Sequence, residues 1–166
     1  MDGCVAERWD YAMIIKGVID EDFANYKKPS MLISAPCCTM KCGAEYCQNH
    51  PLLKKPDTII TAYKLAKRYL QNNLTHAVVF GGLEPMDTFG DILDFVRTLR
   101  LMECKDDIVI YTGYNKEEIS TQLMFLKYYS NIIIKFGRYI PGQQPHYDEV
   151  LGVYLASDNQ YGEKVS

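Results

Sequence analysis

The sequence of 166 residues lacks several features that mark particular protein classes. No apolar run approaches the roughly 20 residues that span a bilayer, and the first residues carry neither the basic start nor the apolar core of a secretory signal. No cluster of lysine and arginine is present and the formal net charge is −3, so electrostatic binding to nucleic acid gains no support. We therefore expect a cytoplasmic protein with no membrane and no nucleic-acid partner.

Internal repeats and low-complexity segments are also missing. Hydrophobic residues make up 48% of the chain and charged residues 23%, which is typical of a folded globular protein. A chain of this length buries about 70% of its unfolded surface, so it needs neither a metal nor a disulfide to make a core. We predict a single domain over residues 1–166. Its core covers about 30–137, and a C-terminal extension over 138–166 packs over the sheet or its edge.

Short apolar segments alternate with amphipathic ones along the core. Buried strands are predicted at residues 31–36, 77–80, 107–111 and 131–136. The first helix is predicted over residues 58–72, with a buried face formed by Ile59, Tyr63, Ala66 and Leu70. A second helix opens at Thr88, and Asn115 caps a third, with Glu118 completing a capping box. This alternation predicts an α/β fold with a parallel sheet.

Unusual residues follow three of the predicted strands. A cysteine-rich loop follows the first, Gly81-Gly82 follows the second, and Thr112-Gly113 follows the third. The carboxyl ends of parallel strands meet at one edge, which is where open α/β sheets bind their ligands. We therefore expect these segments to form one site.

Four of the six cysteines fall within eleven residues, at Cys37, Cys38, Cys42 and Cys47. In a reducing compartment, such a group indicates metal or cluster ligands before disulfides. A structural zinc usually shows C-x2-C pairs, which are missing here, although His50 is a candidate fourth ligand. Three thiolates on a four-iron cluster would instead leave one iron open to a ligand. Cys37 is expected to be a neighbour of the centre, and Cys4 and Cys104 to be structural.

Two segments together resemble the radical S-adenosylmethionine (radical SAM) superfamily. The cysteines from Cys38 follow C-x3-C-x4-C with an aromatic residue before the last, and the second strand leads into Gly81-Gly82-Leu83-Glu84-Pro85. The superfamily usually carries C-x3-C-x-aromatic-C after its first strand and Gly-Gly-Glu-Pro after its second. The chain departs from this pattern in two places: four residues, not two, separate its last two cysteines, and Leu83 splits the second motif.

Within the superfamily, the chain is similar to the activating proteins of anaerobic ribonucleotide reductase. Thr112-Gly113-Tyr114 and Ser157-Asp158-Asn159-Gln160 carry this similarity. The resemblance implies a partial, open parallel β/α barrel, a 4Fe-4S cluster and S-adenosylmethionine as a second cofactor. The implied cluster ligands are Cys38, Cys42 and Cys47. The positions expected to bind S-adenosylmethionine are Tyr46, Gly81, Gly82, Glu84 and Thr112.

Lys135 is a further candidate for cofactor binding, because it interrupts an apolar strand. A buried ammonium group needs an anionic partner, and the carboxylate of S-adenosylmethionine is one candidate. A position at the strand end facing solvent is the alternative.

The resemblance also implies a reaction. A reduced cluster gives one electron to S-adenosylmethionine, which yields methionine and a 5′-deoxyadenosyl radical. In the activating proteins this radical creates a glycyl radical on a partner, here the anaerobic ribonucleotide reductase, and a reductant such as flavodoxin or ferredoxin supplies the electron. The alternatives are a radical SAM enzyme acting on a peptide or small molecule, and a non-enzymatic adaptor held together by zinc or a cluster. The adaptor predicts that metal removal unfolds the protein, whereas the enzymes predict a folded apoprotein.

Overall fold

The computed structural model describes residues 11–166. Its strands are β1 (Ala12–Ile15), β2 (Gly17–Asp22), β3 (Ser30–Ser34), β4 (Thr58–Thr61), β5 (Ala77–Gly81), β6 (Asp107–Tyr111), β7 (Ile132–Phe136), β8 (His146–Asp148), β9 (Val153–Leu155) and β10 (Tyr161–Lys164). Its helices are α1 (Ala62–Leu70), α2 (Phe89–Leu101) and α3 (Ser120–Leu126). Within this part of the chain, no helix is both long and apolar enough to cross a membrane. Cys4, expected to be structural, lies outside the described residues.

The main sheet has six strands in the order β10-β7-β6-β5-β3-β2. The four inner strands are the four that the apolar segments predicted, and they run parallel to one another. Strands β2 and β10 extend the two edges in antiparallel orientation. The C-terminal extension thus contributes an edge strand, while β8 and β9 pair with each other in a separate hairpin.

The two faces of the sheet are covered differently. Side chains alternate between the faces along each strand, and one face packs against the three helices in the larger core, where the Phe80 and Phe95 rings meet edge-on at 5.2 Å. The other face carries Val79, Val109 and Ile133 and is covered by Tyr26, Leu151 and Leu155. The same alternation brings Tyr111 and Lys135 to the carboxyl end of this second face, beyond its apolar part.

The first predicted helix is wrong at its start. Residues 58–61 form β4, which pairs with β1 so that Ile59 lies opposite Ile14. Helix α1 begins at Ala62, and the side chain of Thr61 caps it by accepting from the Lys64 amide at 3.2 Å. The helix consequently buries Ala62, Leu65, Ala66 and Tyr69, whereas Ile59 is 72% exposed and Tyr63 and Leu70 are each 40% exposed.

The other two helix starts are confirmed. Thr88 is the residue before α2, whose buried face includes Ile92 and Val96. Asn115 and Glu118 form the predicted capping box, although the turn they open is 3₁₀ over Lys116–Ile119 before α3 begins. Local capping residues therefore predicted the helix starts at the two places where the segment does not pair with a distant strand.

Candidate functional site

A cavity of about 230 Å³ opens at the carboxyl ends of β5, β6 and β7. It is bounded by the cysteine loop on one side and by the residues that follow each strand on the other. The predicted site residues that line it are Cys38, Cys42, Tyr46, Cys47, Gly82, Glu84, Thr112 and Lys135. Four separate segments of the chain thus meet where the strand ends predicted one site.

The three cysteines expected to be ligands line this cavity. The Cys38 sulfur accepts from the Met40 amide at 3.3 Å, and burial raises the pKa of Cys38 to about 11. Burial also raises the pKa of Cys42, and the neighbouring Cys47 adds to this effect. At Cys38 and Cys42 burial therefore favours the neutral thiol until a cation replaces its proton, which is how metal binding and proton release are linked.

Cys37 and His50 are not among the residues that line the cavity. Within residues 11–166, no three or more histidine, cysteine or acidic side chains converge as ligands of a single metal ion. Cys38, Cys42 and Cys47 all line the cavity. In a 4Fe-4S cluster each cysteine binds a different iron, so three thiols at one cavity fit such a cluster without converging on one ion.

Glu84 joins two of the strand ends that form the cavity wall. Its side chain is buried, at 7% exposure. The Oε1 atom accepts from the Met86 amide at 3.0 Å and from the Thr112 hydroxyl at 2.7 Å. The Oε2 atom accepts from the Gly113 amide at 2.8 Å. Burial raises the pKa of Glu84, while these hydrogen bonds to the carboxylate oppose that rise. Glu84 and Thr112 are thus hydrogen-bonded to each other, and this contact joins the segments that follow β5 and β6 in the cavity wall.

The two glycines after β5 lie in different surroundings. Gly82 has a φ of +75°, and a Cβ there would lie 3.0 Å from the Ser34 Cβ, so this turn of the wall requires glycine. The carbonyl of Gly81 accepts from the Ala35 amide at 2.9 Å and continues the sheet. Gly81 does not line the cysteine cavity but an adjoining cleft of about 430 Å³ on the same face of the sheet.

Lys135 is buried in the cavity wall, at 8% exposure, rather than at a solvent-facing strand end. Its Nζ donates to the Gly137 carbonyl at 2.7 Å, and the ion pairs found among residues 11–166 do not include it. Burial lowers the pKa of Lys135 to about 8, against the opposing influence of Glu84 and Cys42. At neutral pH the cavity therefore holds an ammonium group with donors to spare.

Asp87 is a residue near the site that the sequence analysis missed. Its Oδ1 accepts from the Tyr114 hydroxyl at 2.6 Å, and its Oδ2 accepts from the Thr39 amide at 2.9 Å. The Tyr114 ring in turn lies 4.7 Å from the Lys41 ammonium and 5.3 Å from the Arg138 guanidinium. This network ties the cysteine loop to the end of β6, and its one sequence signal is an acid in the turn before α2.

Comparison with known proteins gives one match. A family model described as a 4Fe-4S single cluster domain matches residues 30–153, which run from the first residue of β3 into β9. The matched range contains the cysteine loop and the ends of all four parallel strands. Neither the curated proteins nor the solved structures include a match.

Proposed function

Since the chain belongs to the 4Fe-4S single cluster domain family, we propose that Cys38, Cys42 and Cys47 hold its cluster and that the cavity beside them binds S-adenosylmethionine. The family indicates a domain that binds a 4Fe-4S cluster; the ligand set and the second cofactor are the proposal. The observation that carries it is one cavity shared by three thiols and the buried ammonium of Lys135.

The residues fit both groups chemically. Three thiolates satisfy three irons of the cluster and leave the fourth for the amino and carboxylate groups of S-adenosylmethionine. Lys135 supplies positive charge for that carboxylate, Gly82 lets the backbone approach the ligand, and Tyr46 at the rim offers a ring to the adenine. When bound, the cluster supplies one electron to the sulfonium, which releases methionine and a 5′-deoxyadenosyl radical.

The adjoining cleft supports a substrate that is part of a protein. It shares Gln48, Asn49, Gly82 and Tyr111 with the cysteine cavity, and apart from Lys55 its lining is uncharged. Amide and hydroxyl groups beside apolar strand residues suit a neutral peptide segment more than a charged metabolite. We take the substrate to be a glycine of the anaerobic ribonucleotide reductase, as the resemblance in residues 112–114 and 157–160 implies, with flavodoxin or ferredoxin as the reductant.

Anaerobic reconstitution tests the proposal. Protein loaded with iron and sulfide, then reduced and given S-adenosylmethionine, is expected to form 5′-deoxyadenosine and methionine. Stoichiometric zinc with no cleavage product would exclude both enzymatic functions. If cleavage occurs, a co-expressed anaerobic reductase is examined for the electron paramagnetic resonance signal of a glycyl radical. This signal would separate activation of that partner from action on another peptide or a small molecule.

The adaptor hypothesis is separated by the effect of a chelator. The cysteine loop belongs to neither hydrophobic core, so the metal-free protein is expected to stay folded. An adaptor stapled by its metal would instead lose its circular dichroism spectrum and cooperative unfolding when the chelator removes the metal.

A further inference from the structure

The C-terminal turn over residues 157–160 reaches the cysteine cavity. Ser157 and Gln160 are buried, at 0% and 6% exposure, and Gln160 lines the cavity. The Oε1 of Gln160 accepts from the amides of Ala156 and Ser157 at 3.1 and 3.2 Å, and its Nε2 donates to the Gly137 carbonyl at 3.2 Å. One side-chain amide thus joins the turn to the segment that follows β7.

Gly137 is held by the turn from several directions. Its φ is +98°, and a Cβ there would lie 2.9 Å from the Asn159 carbonyl oxygen. Beside it, the Asn159 side-chain amide donates to the Arg138 carbonyl at 2.8 Å. The Gly137 carbonyl accepts from Gln160, while the Gly137 amide donates to the Tyr114 carbonyl at 3.2 Å, so the position of this residue depends on the C-terminal extension as well as on the strands.

That carbonyl is also the acceptor that holds Lys135. The Lys135 Nζ lies 2.7 Å from it, so Gly137 receives one bond from the ammonium and one from Gln160. An ammonium group has three N–H donors, and the ion pairs of residues 11–166 leave Lys135 without a carboxylate. The Tyr111 ring centroid lies 6.0 Å from this Nζ, and Glu84 is a charged group in the same cavity, but neither accepts a hydrogen bond from the ammonium. Its remaining donors are therefore in a cavity where an anionic ligand would complete the surroundings of a buried charge.

We propose that Gln160 is a positioning residue for Lys135: by fixing the Gly137 carbonyl, it aims the remaining N–H groups of the ammonium at a carboxylate of the bound ligand. The inference rests on the proposed function, in which that carboxylate belongs to S-adenosylmethionine. It also makes the C-terminal turn part of the ligand site, although the family match ends at residue 153.

Calorimetric titration of the reconstituted protein with S-adenosylmethionine tests this role. Gln160→Leu is expected to raise Kd about tenfold, the effect of one lost hydrogen bond that orients a charged group. Iron content per chain is expected to stay that of the wild type, whereas the thermal midpoint is expected to fall, because the Ala156 and Ser157 amides lose their acceptor. The titration is therefore made at a temperature where both proteins are folded. The matched control is Gln143→Leu, because Gln143 accepts from the Asn159 amide of the same turn at 3.3 Å but has no recorded hydrogen bond to Gly137 or Lys135.

A double-mutant cycle and a second ligand separate positioning from a merely structural role. If Gln160 acts through Lys135, Gln160→Leu adds no loss of affinity to Lys135→Met. Decarboxylated S-adenosylmethionine is expected to bind the wild type and Gln160→Leu equally well. Should Gln160→Leu fail to fold, Gln160→Met is measured instead, because it keeps the length of the side chain, adds no charge and removes the Nε2 donor.

The results that would overturn this inference differ from those that would overturn the proposed function. The inference alone is overturned if Gln160→Leu binds S-adenosylmethionine as tightly as the wild type does. It is also overturned if the losses of affinity in Gln160→Leu and Lys135→Met add, or if Gln160→Leu loses as much affinity for the decarboxylated ligand. A wild type that carries the cluster but binds neither ligand overturns the proposed function, and this inference with it.

Discussion

The sheet and the cysteine loop are held in place by different means. Every residue of β5 and β7 is buried, and each of these strands is hydrogen-bonded to a neighbour on both sides. In the loop over residues 37–56, all of which the structure describes, no residue is buried. The sheet is therefore stabilised by apolar burial, and the loop depends on a few polar contacts and on whatever it binds.

The contacts that hold the loop are few and specific. The Glu84 amide donates to the Cys37 carbonyl at 2.9 Å, and Asp87 accepts from the Thr39 amide. Both partners follow β5, so the cysteine half of the loop is attached to the strand end that also forms the cavity. The other half is held from the β1–β2 connection, where the Lys16 ammonium donates to the Lys55 carbonyl at 2.8 Å. This contrast teaches that changes in the sheet should alter stability, whereas changes in the loop should alter cluster loading.

Replacing a cluster ligand should separate the two regions most sharply. Cys38→Ser, Cys42→Ser and Cys47→Ser are each expected to abolish loading, because three thiolates are the minimum that the proposed centre uses. The unfolding free energy of the metal-free protein should stay within about 0.5 kcal/mol of the wild type, as for other exposed or half-exposed positions. Iron and sulfide per chain and the visible absorbance band report the loading.

Cys37→Ser is the control for this series, since Cys37 does not line the cavity. It is expected to load like the wild type. If Cys38→Ser loads the cluster normally and Cys37→Ser does not, then Cys37 rather than Cys38 is the ligand.

A core substitution should show the opposite behaviour. Phe95 is fully buried and meets Phe80 edge-on, so Phe95→Ala should cost about 3–5 kcal/mol of stability. Tyr46→Ala in the loop, where the side chain is 52% exposed, should cost less than about 0.5 kcal/mol. Urea unfolding of the metal-free proteins measures both, and a comparable loss for Tyr46→Ala would show that the loop supports the core.

Lys135 belongs to the sheet and lines the cysteine cavity, so replacing this buried charge with an apolar side chain should stabilise the protein. The pKa of Lys135 falls from 10.5 to about 8 on folding, a difference that costs the folded state about 3 kcal/mol below pH 8. The cost shrinks as the pH rises from 8 to 10.5, because the folded protein is then neutral at Lys135 while the unfolded chain still binds the proton, so stability rises with pH. Lys135→Met should therefore be more stable than the wild type by up to about 3 kcal/mol at pH 7 and by little at pH 10.5.

Urea unfolding of the metal-free proteins at the two pH values measures this difference. Equal stability of wild type and Lys135→Met at pH 7 would mean that the ammonium is already compensated within the protein. The argument for an anionic ligand beside Lys135 would then lose its basis.

The sheet was more predictable from sequence than the segments that pack around it. Strands β5 and β7 are short segments dominated by apolar residues, so their secondary structure is decided locally. The start of the first helix was not predictable in this way. Residues 58–61 become β4 because they pair with β1, more than 40 positions earlier, and spacing within one segment carries no signal of such pairing.

The candidate site also has one part that was predictable from sequence and one part that was not. The meeting of Cys38, Glu84, Thr112 and Lys135 followed from strand ends and motifs. The contacts of Asp87 and Gln160 did not, because each depends on a side chain reaching an atom of a distant segment, such as the Gly137 carbonyl or the Thr39 amide. An acid in a helix's first turn and a glutamine near a chain end are too common to indicate a role.

Asp87 allows the smallest and most local test of the difference between loop and sheet. Asp87→Ala removes the acceptors of the Thr39 amide and the Tyr114 hydroxyl, so the loop amides of residues 38–47 should exchange with solvent about tenfold faster. The strand amides should keep wild-type rates, because β5 and β6 share no bond with Asp87. Asp91→Ala is the matched control, since Asp91 lies one turn further on, in the first turn of α2, and accepts from the Ile14 amide instead. Equal acceleration of the loop amides in both variants would assign the effect to the turn before α2, and would leave the cysteine loop to be ordered by its cluster.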